Sequence, residues 1–376
     1  MAIIFGIGAF QAVVFSLLLL MKKDKRQAEM FLAGFFFVIT LYFAHLVSFF
    51  YSVWRSFPEL VLIITLVPLF YGPLLFFYVE SLIKGEVKRR TLYIHLIPIV
   101  ITFLIILPYV SLSYEDKLLY FTDRFINLPL YLSVGIFVQY ISAPLYFIRI
   151  LYVIRAHNRR LKASHSVISG VNLGWLKMLL IGAVSIWTLD VLYVILLNYT
   201  PIAMSVYISW SIKVVFLMFT VLIGFFGIKQ DSLSNHSITN SARAGKVSDN
   251  NAKQITDKSA DRLQRILLDY MESEKAYINS ELRIQDISNA LSIPVHQLSY
   301  VINRLQQQNF FDFVNSYRVN EVKIKLANPA FDDLTLIAIA YDCGFNSKAS
   351  FNRLFKQYTG KTPTQFKKES RTLSQH

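Results

Sequence analysis

Seven long apolar runs fill the first 228 residues and leave few folds open to them. They lie at about 3–20, 30–52, 59–83, 91–110, 128–154, 172–198 and 201–228. Each is close to or above the ~20 residues that cross ~30 Å of hydrocarbon as a helix. The spacing predicts a bundle of seven transmembrane helices, with the short polar stretch VWRSFPE turning the chain between the second and third. Hydrophobic residues make up 54% of the chain, too many for a soluble protein alone.

Charge orients the bundle. Lys22, Lys23, Lys25 and Arg26 follow the first run; Lys84, Lys88, Arg89 and Arg90 follow the third; Arg155, Arg159, Arg160 and Lys162 follow the fifth. The alternate loops hold only Arg55, then Lys117 and Arg124 among three acids, then none. Basic loops stay cytoplasmic, so the N-terminus is expected outside and residue 229 onward inside. Residues 1–228 carry 18 Lys and Arg against 9 Asp and Glu, and residues 229–376 carry 20 against 15. The larger basic excess thus sits in the apolar part, where topology accounts for it. The first run has no basic segment before it and no small-x-small site before MKKDKR, so it reads as a permanent helix rather than a cleaved signal.

Ionisable groups inside such helices are costly and face the bundle interior or a wet cavity. Asp190, Lys213 with Trp210 one turn earlier, and His45 are therefore candidates for a ligand pocket; an ion pair between Asp190 and Lys213 that clamps two helices is the alternative. Glu80, Arg149 and Lys177 lie near inner ends, where long side chains reach for the interface. Tyr71-Gly72-Pro73 predicts a kink in the third span.

Residues 229–258 are rich in Ser, Asn and Lys and too poor in apolar side chains to bury a core, which predicts a flexible tether. At ~30 Å root-mean-square reach, it would let a cytoplasmic domain touch a ligand without leaving the membrane. It is also the natural place for a proteolytic cut.

The remaining residues, 259–376, read as a soluble helical domain, which makes the whole chain all-α. Leu263, Ile266, Leu267, Tyr270 and Met271 open it with an amphipathic helix. Ile284, Ile287 and Leu291 mark a second helix, and Ser292-Ile293 a turn. Pro294 opens a third, with Leu298, Val301 and Ile302 inward and His296, Gln297, Ser299, Tyr300 and Asn303 outward. Arg304 is within reach of a phosphate. A long helix follows at about 310–327, ended by Asn328-Pro329; its Arg318, Lys323 and Lys325 suit phosphates or solvent.

Asp333 to Lys368 then repeats the helix-turn-helix pattern. Thr335 caps its first helix, Gly344 makes the turn, Phe345 plugs the gap, and Ser347 caps the second helix over Phe351, Leu354 and Phe355. The opposite face carries Lys348, Asn352, Arg353 and Lys356, the side chains that a major-groove helix uses.

The run Ile339-Ala340, Cys343-Gly344-Phe345, Ser350-Phe351, Arg353, Phe355-Lys356, Gly360 and Thr362-Pro363 resembles the C-terminal signature of AraC-type transcription regulators. The similarity reaches back to about Asp261. It implies two helix-turn-helix units joined by a long helix, both reading double-stranded DNA from one side. Carried over by resemblance, the base readers are His296, Ser299 and Tyr300 in the first unit and Lys348, Ala349, Asn352 and Arg353 in the second. Arg304, Lys356, Lys361, Lys367 and Lys368 are assigned to phosphates, the alternative for each lysine being a solvated charge.

The first unit departs from the family pattern: Ser292 stands where glycine is common, and Pro294 replaces the usual capping serine. Base contact there is accordingly open, and His296 can equally be a solvated surface histidine.

There is no phosphate-binding glycine loop, HExxH, Cys-x-x-Cys or GxSxG pattern, so neither an enzyme nor a cofactor is expected. Cys343 alone excludes an intrachain disulfide. The combined expectation is a one-component regulator in the bacterial inner membrane, with the bilayer, an unknown small-molecule or membrane signal, and DNA as partners. RNA polymerase and a second copy of the chain are further candidates. The alternatives are a receptor or transporter whose C-terminal domain binds protein, and a factor released by cleavage.

Overall fold

The computed structural model describes residues 1–23, 26–122, 129–167, 174–197, 202–229, 257–305 and 307–374. Nearly all of the expected tether, residues 230–256, lies outside the described residues. Among the described residues the chain is helical and contains no strand; an isolated antiparallel bridge pairs His165 with Arg283. The chain divides into two compact units, one of Met1–Arg155 with Leu173–Arg243, the other of Ala156–Asn172 with Ala244–His376.

In the first unit the helices are α1 (Ala2–Leu20), α2 (Gln27–Phe50), α3 (Val61–Leu66), α4 (Tyr71–Lys84), α5 (Arg89–Ile106), α6 (Tyr114–Thr122), α7 (Leu130–Ser164, whose last turns belong to the second unit), α8 (Gly174–Leu196) and α9 (Ile202–Lys229). Among the described residues, seven stretches are long and apolar enough to cross a membrane: Ala2–Leu20, Gln27–Phe50, Val67–Lys84, Arg90–Ser111, Leu130–Ser164, Trp175–Leu196 and Met204–Lys229. Large apolar side chains such as Phe10, Phe37, Phe137, Ile148, Met178 and Phe225 point outward from them. Water tolerates such a belt poorly, whereas lipid does not penalise it.

Inside, the helices approach closely where side chains are small. A Cβ on Gly224 of α9 would lie 2.2 Å from the Phe15 ring of α1. Ser16 of α1 donates its hydroxyl to the Ala33 carbonyl of α2 at 3.0 Å.

Two expectations change here. The third span is not one helix kinked at residues 71–73. It breaks earlier, into a 3-10 turn at Val67–Phe70. Pro68 lacks the N–H that an α-helix would need there, while Pro73 falls in the first turn of α4, where no bond is lost. Glu80 does not reach outward: it is buried and pairs with Lys84 one turn later.

The second unit comprises α10 (Asp257–Ser273), α11 (Ile284–Leu291), α12 (Val295–Leu305), α13 (Phe310–Ala327), α14 (Leu336–Asp342), α15 (Lys348–Thr359) and α16 (Pro363–Ser374). It has two cores, and α13 serves both. Phe310, Phe313 and Val314 pack with Leu267, Ile287, Leu298 and Val301. Phe311, Val319, Val322 and Leu326 pack with Ile339, Cys343, Phe351 and Phe355. That double duty explains why α13 is apolar on more than one side. Ile266, read as an apolar-face residue, is exposed instead, and so is Ile324 of α13.

Gly344 and Gly360 both have positive φ, +89° and +74°. A Cβ at Gly344 would sit 2.4 Å from the Tyr277 carbonyl oxygen and 2.8 Å from that of Ile278; at Gly360 nothing lies within 4 Å. Both alanine variants bear the left-handed cost of about 1 kcal/mol, and only Gly344→Ala adds a backbone clash. Denaturant unfolding should show Gly344→Ala destabilised by about 2–4 kcal/mol and Gly360→Ala by about 1 kcal/mol.

Candidate nucleic-acid interface and membrane cavity

In the second helix-turn-helix, Thr335 accepts from the Ala338 N–H at 3.1 Å and starts α14. Its first turn thereby gains a partner for one orphan donor. The chain then reverses at Gly344, and Phe345, only 3% exposed, packs against Phe351 with the rings tilted and their centres 5.3 Å apart. Ser347 accepts from the Ser350 N–H at 3.2 Å and starts α15. Phe351, Leu354 and Phe355 are buried, which fixes the rotation of α15. Lys348, Ala349, Asn352, Arg353 and Lys356 are consequently all exposed on its outer face.

Arg353 makes one long contact, 3.4 Å to Gln357, and keeps most of its fork for a partner. Cys343 lies in the core beneath, where burial pushes its thiol up to about 12, so it is inert packing.

The first helix-turn-helix repeats the frame with weaker chemistry. Ser292 takes the turn at φ +55°, the conformation for which glycine is better suited. Leu298, Val301 and Ile302 are buried, and His296, Asn303 and Arg304 are exposed, with Gln297, Ser299 and Tyr300 half-buried. Arg304 bonds the Tyr300 hydroxyl and lies over its ring, 5.3 Å from the centre. Asn303 donates to Ser299 at 3.1 Å. Of the phosphate candidates, Lys361 pairs with Glu369, and Lys367 with Asp332 at 3.5 Å; Lys356 and Lys368 are exposed.

Arg318 overturns its expectation of phosphate or solvent. It is fully buried. Its Nε donates to the Tyr277 carbonyl at 2.8 Å, and its Nη2 donates to those of Asn279 at 2.8 Å and Ser280 at 3.4 Å. Burial lowers its pKa only to about 10, so it stays charged at neutral pH. Two further contacts go to Ser166, at 3.4 Å to the carbonyl and 3.1 Å to the hydroxyl. Sequence reasoning assigned Ser166 no role.

Within the first unit, a cavity of about 780 Å³ is lined by His45, Asp190, Trp210 and Lys213, all four of the pocket candidates. No ion pair within 4.0 Å joins Asp190 to Lys213 among the described residues. Asp190 accepts from the Tyr140 hydroxyl at 2.8 Å. The Lys213 ammonium bonds the Ser209 hydroxyl and sits 5.7 Å from the centre of the Trp210 ring. His45 Nδ1, the Tyr71 hydroxyl and Trp187 Nε1 are buried at this cavity and have no hydrogen-bond partner among the described residues. Tyr71, Tyr140 and Trp187 escaped the sequence reading because aromatic residues with a polar tip are ordinary in apolar helices.

Comparison with known proteins bears on the second unit. Residues 287–369 match a family model described as "Helix-turn-helix domain". The Msm operon regulatory protein of Streptococcus mutans is 28% identical over 108 residues, which cover 26% of this chain and 38% of that protein. An uncharacterized HTH-type transcriptional regulator of Staphylococcus aureus is 28% identical over 108 residues, 29% of this chain and 14% of its own length. The chain thus spans well under half of the curated relatives it matches. A solved structure of a protein of unknown function from Listeria innocua is 27% identical over 28% of this chain and 94% of that one, with a TM-score of 0.24.

Proposed function

With a helix-turn-helix domain of the AraC type at residues 287–369, we propose that this chain is a membrane-embedded, one-component transcription regulator. The seven apolar helices hold it in a bacterial inner membrane, N-terminus outside, as the basic loops direct. The two helix-turn-helix units read DNA at the inner face, their recognition helices α12 and α15 in successive major grooves ~34 Å apart. The observation that carries this reading is the outer face of α15. Its bases of recognition are Asn352 for an adenine, Arg353 for a guanine and Ala349 for a thymine methyl, with Lys348 beside them. In the first unit His296, Ser299 and Tyr300 take the matching places, with Arg304 near the backbone.

Mapping where the intact tagged protein sits on the genome tests the proposal. Sharp sites, with full-length protein in the membrane fraction, are expected; no sites in any growth condition sink it. On such a site, Lys356→Ala should weaken binding evenly across sequences and reduce the salt slope by about one.

The cavity is the proposed sensor. Two opposite charges held apart, each by a neutral partner, and three unpartnered polar atoms favour an amphipathic ligand that carries both charges. Asp190→Asn and Lys213→Met should each abolish the transcriptional response while leaving the protein in the membrane. The exchange Asp190→Lys/Lys213→Asp separates a ligand site from a clamp: a clamp survives the swap, whereas a ligand site loses its response.

A further inference from the structure

The DNA-reading unit contains the last turns of α7, the fifth apolar helix, and the residues just after it. Leu161 and Ser166 of that piece are 5% and 1% exposed, and the Lys162 ammonium lies 5.4 Å from the centre of the Phe311 ring of α13. Ser166 is bound on every side. Its N–H and hydroxyl both donate to the Leu282 carbonyl, at 3.2 and 2.6 Å. Its own carbonyl accepts from Asn315 at 3.0 Å. Its hydroxyl accepts from Arg318 at 3.1 Å.

The position of this node matters. Leu282 leads into α11 of the first helix-turn-helix, and Asn315 and Arg318 lie on the connecting helix α13. A Cβ on Gly344, the turn of the second helix-turn-helix, would be 3.0 Å from Arg318 Nε. The Ser166 segment, residues 277–280 and α13 meet at one guanidinium, with the Gly344 turn close beside it.

We propose that the segment around Ser166 is a positioning strap. Docked, it fixes the angle between the two helix-turn-helix units and hence the groove spacing they can span. The inference rests on the DNA-reading proposal for its function, but the docking itself does not. Because α7 and α8 flank the strap in the chain, a change in the spacing of their ends acts on Ser166 through covalent continuity. A signal needs only to favour the docked or the released strap to alter which operators fit.

Two experiments on the full chain in phospholipid nanodiscs test it. Residues opposite one another in an antiparallel pair have Cα atoms about 4.5–5.5 Å apart, inside the disulfide range of about 4.4–6.8 Å. The His165→Cys/Arg283→Cys variant should therefore crosslink within one chain under mild oxidation, with buried Cys343 left out. No crosslink overturns the docking. The second experiment uses operators selected by the wild-type chain, as a single half-site and as a pair with varied spacing.

Ser166→Pro removes the N–H and the hydroxyl together, and Ser166→Ala removes the hydroxyl alone. Single half-site affinity should stay within about twofold of wild type. Paired-site affinity should fall about tenfold or more for Ser166→Pro, less for Ser166→Ala, with the spacing preference flattened. Equal loss on both operators would make Ser166 a merely structural residue and overturn the inference, as would no change on either. A wild-type chain that selects no DNA would sink the DNA-reading proposal and leave the crosslink to decide the docking.

Discussion

Arg318→Met should lower the stability of the DNA-reading unit by about 3–5 kcal/mol, a large share of the 5–15 kcal/mol that holds a domain together. The guanidinium serves the carbonyls of Tyr277, Asn279, Ser280 and Ser166, and it is fully buried. Methionine fills similar space and removes the cost of burying a charge. It leaves several buried acceptors without donors, each worth about 1–3 kcal/mol, and this second effect is the larger. Arg318→Lys keeps the charge but places three donors at one point instead of a fork, so it should recover only part of the loss. Pulse proteolysis of the full chain across a urea series reads the difference. A methionine variant within about 0.5 kcal/mol of wild type would mean that the node is dispensable.

The second large effect is on recognition rather than stability. Asn352→Ala/Arg353→Ala removes two candidate bidentate base contacts, each worth about 1–3 kcal/mol, so specific affinity should fall between about 30-fold and about 10⁴-fold. Both side chains are exposed and neither supports the core. The urea midpoint of the variant should accordingly match that of wild type. Gel shift on a selected operator, with a scrambled duplex beside it, measures the specific part. Unchanged affinity would move both residues off the interface and shift weight to a protein-binding role for the unit.

The second helix-turn-helix was readable from the chain almost residue by residue. Its caps Thr335 and Ser347, its turn at Gly344 and its plug Phe345 are local devices, each legible within a few positions. The seven apolar helices were legible for a similar reason, since length and composition alone define them. What escaped depends on distant partners. Arg318 reads as a surface charge because it sits in a helix rich in charged neighbours, and the carbonyls that it serves at Tyr277, Asn279 and Ser280 lie 38 to 41 residues earlier. Its partner Ser166 lies 152 residues earlier, in a stretch that looked like a plain basic loop. The break at Val67–Phe70 was displaced because two prolines, Pro68 and Pro73, offered two sites and only the position of the helix start distinguishes them. The cavity was half visible: charges stand out in an apolar helix, but Tyr140 and Tyr71 do not.

The strap also sets an order of events in the life of the molecule. A ribosome adding about 5–20 residues per second finishes Ser166 roughly 8–30 s before it reaches Arg318. The piece that completes the reading head is thus made first, ahead of the domain that it joins. The head is complete only in a chain that also carries α7, so making the apolar part is a condition of finishing the reading part. A fragment cut free after α9 would depart without one of its own parts, and a gene encoding that fragment alone would make an incomplete head from the start.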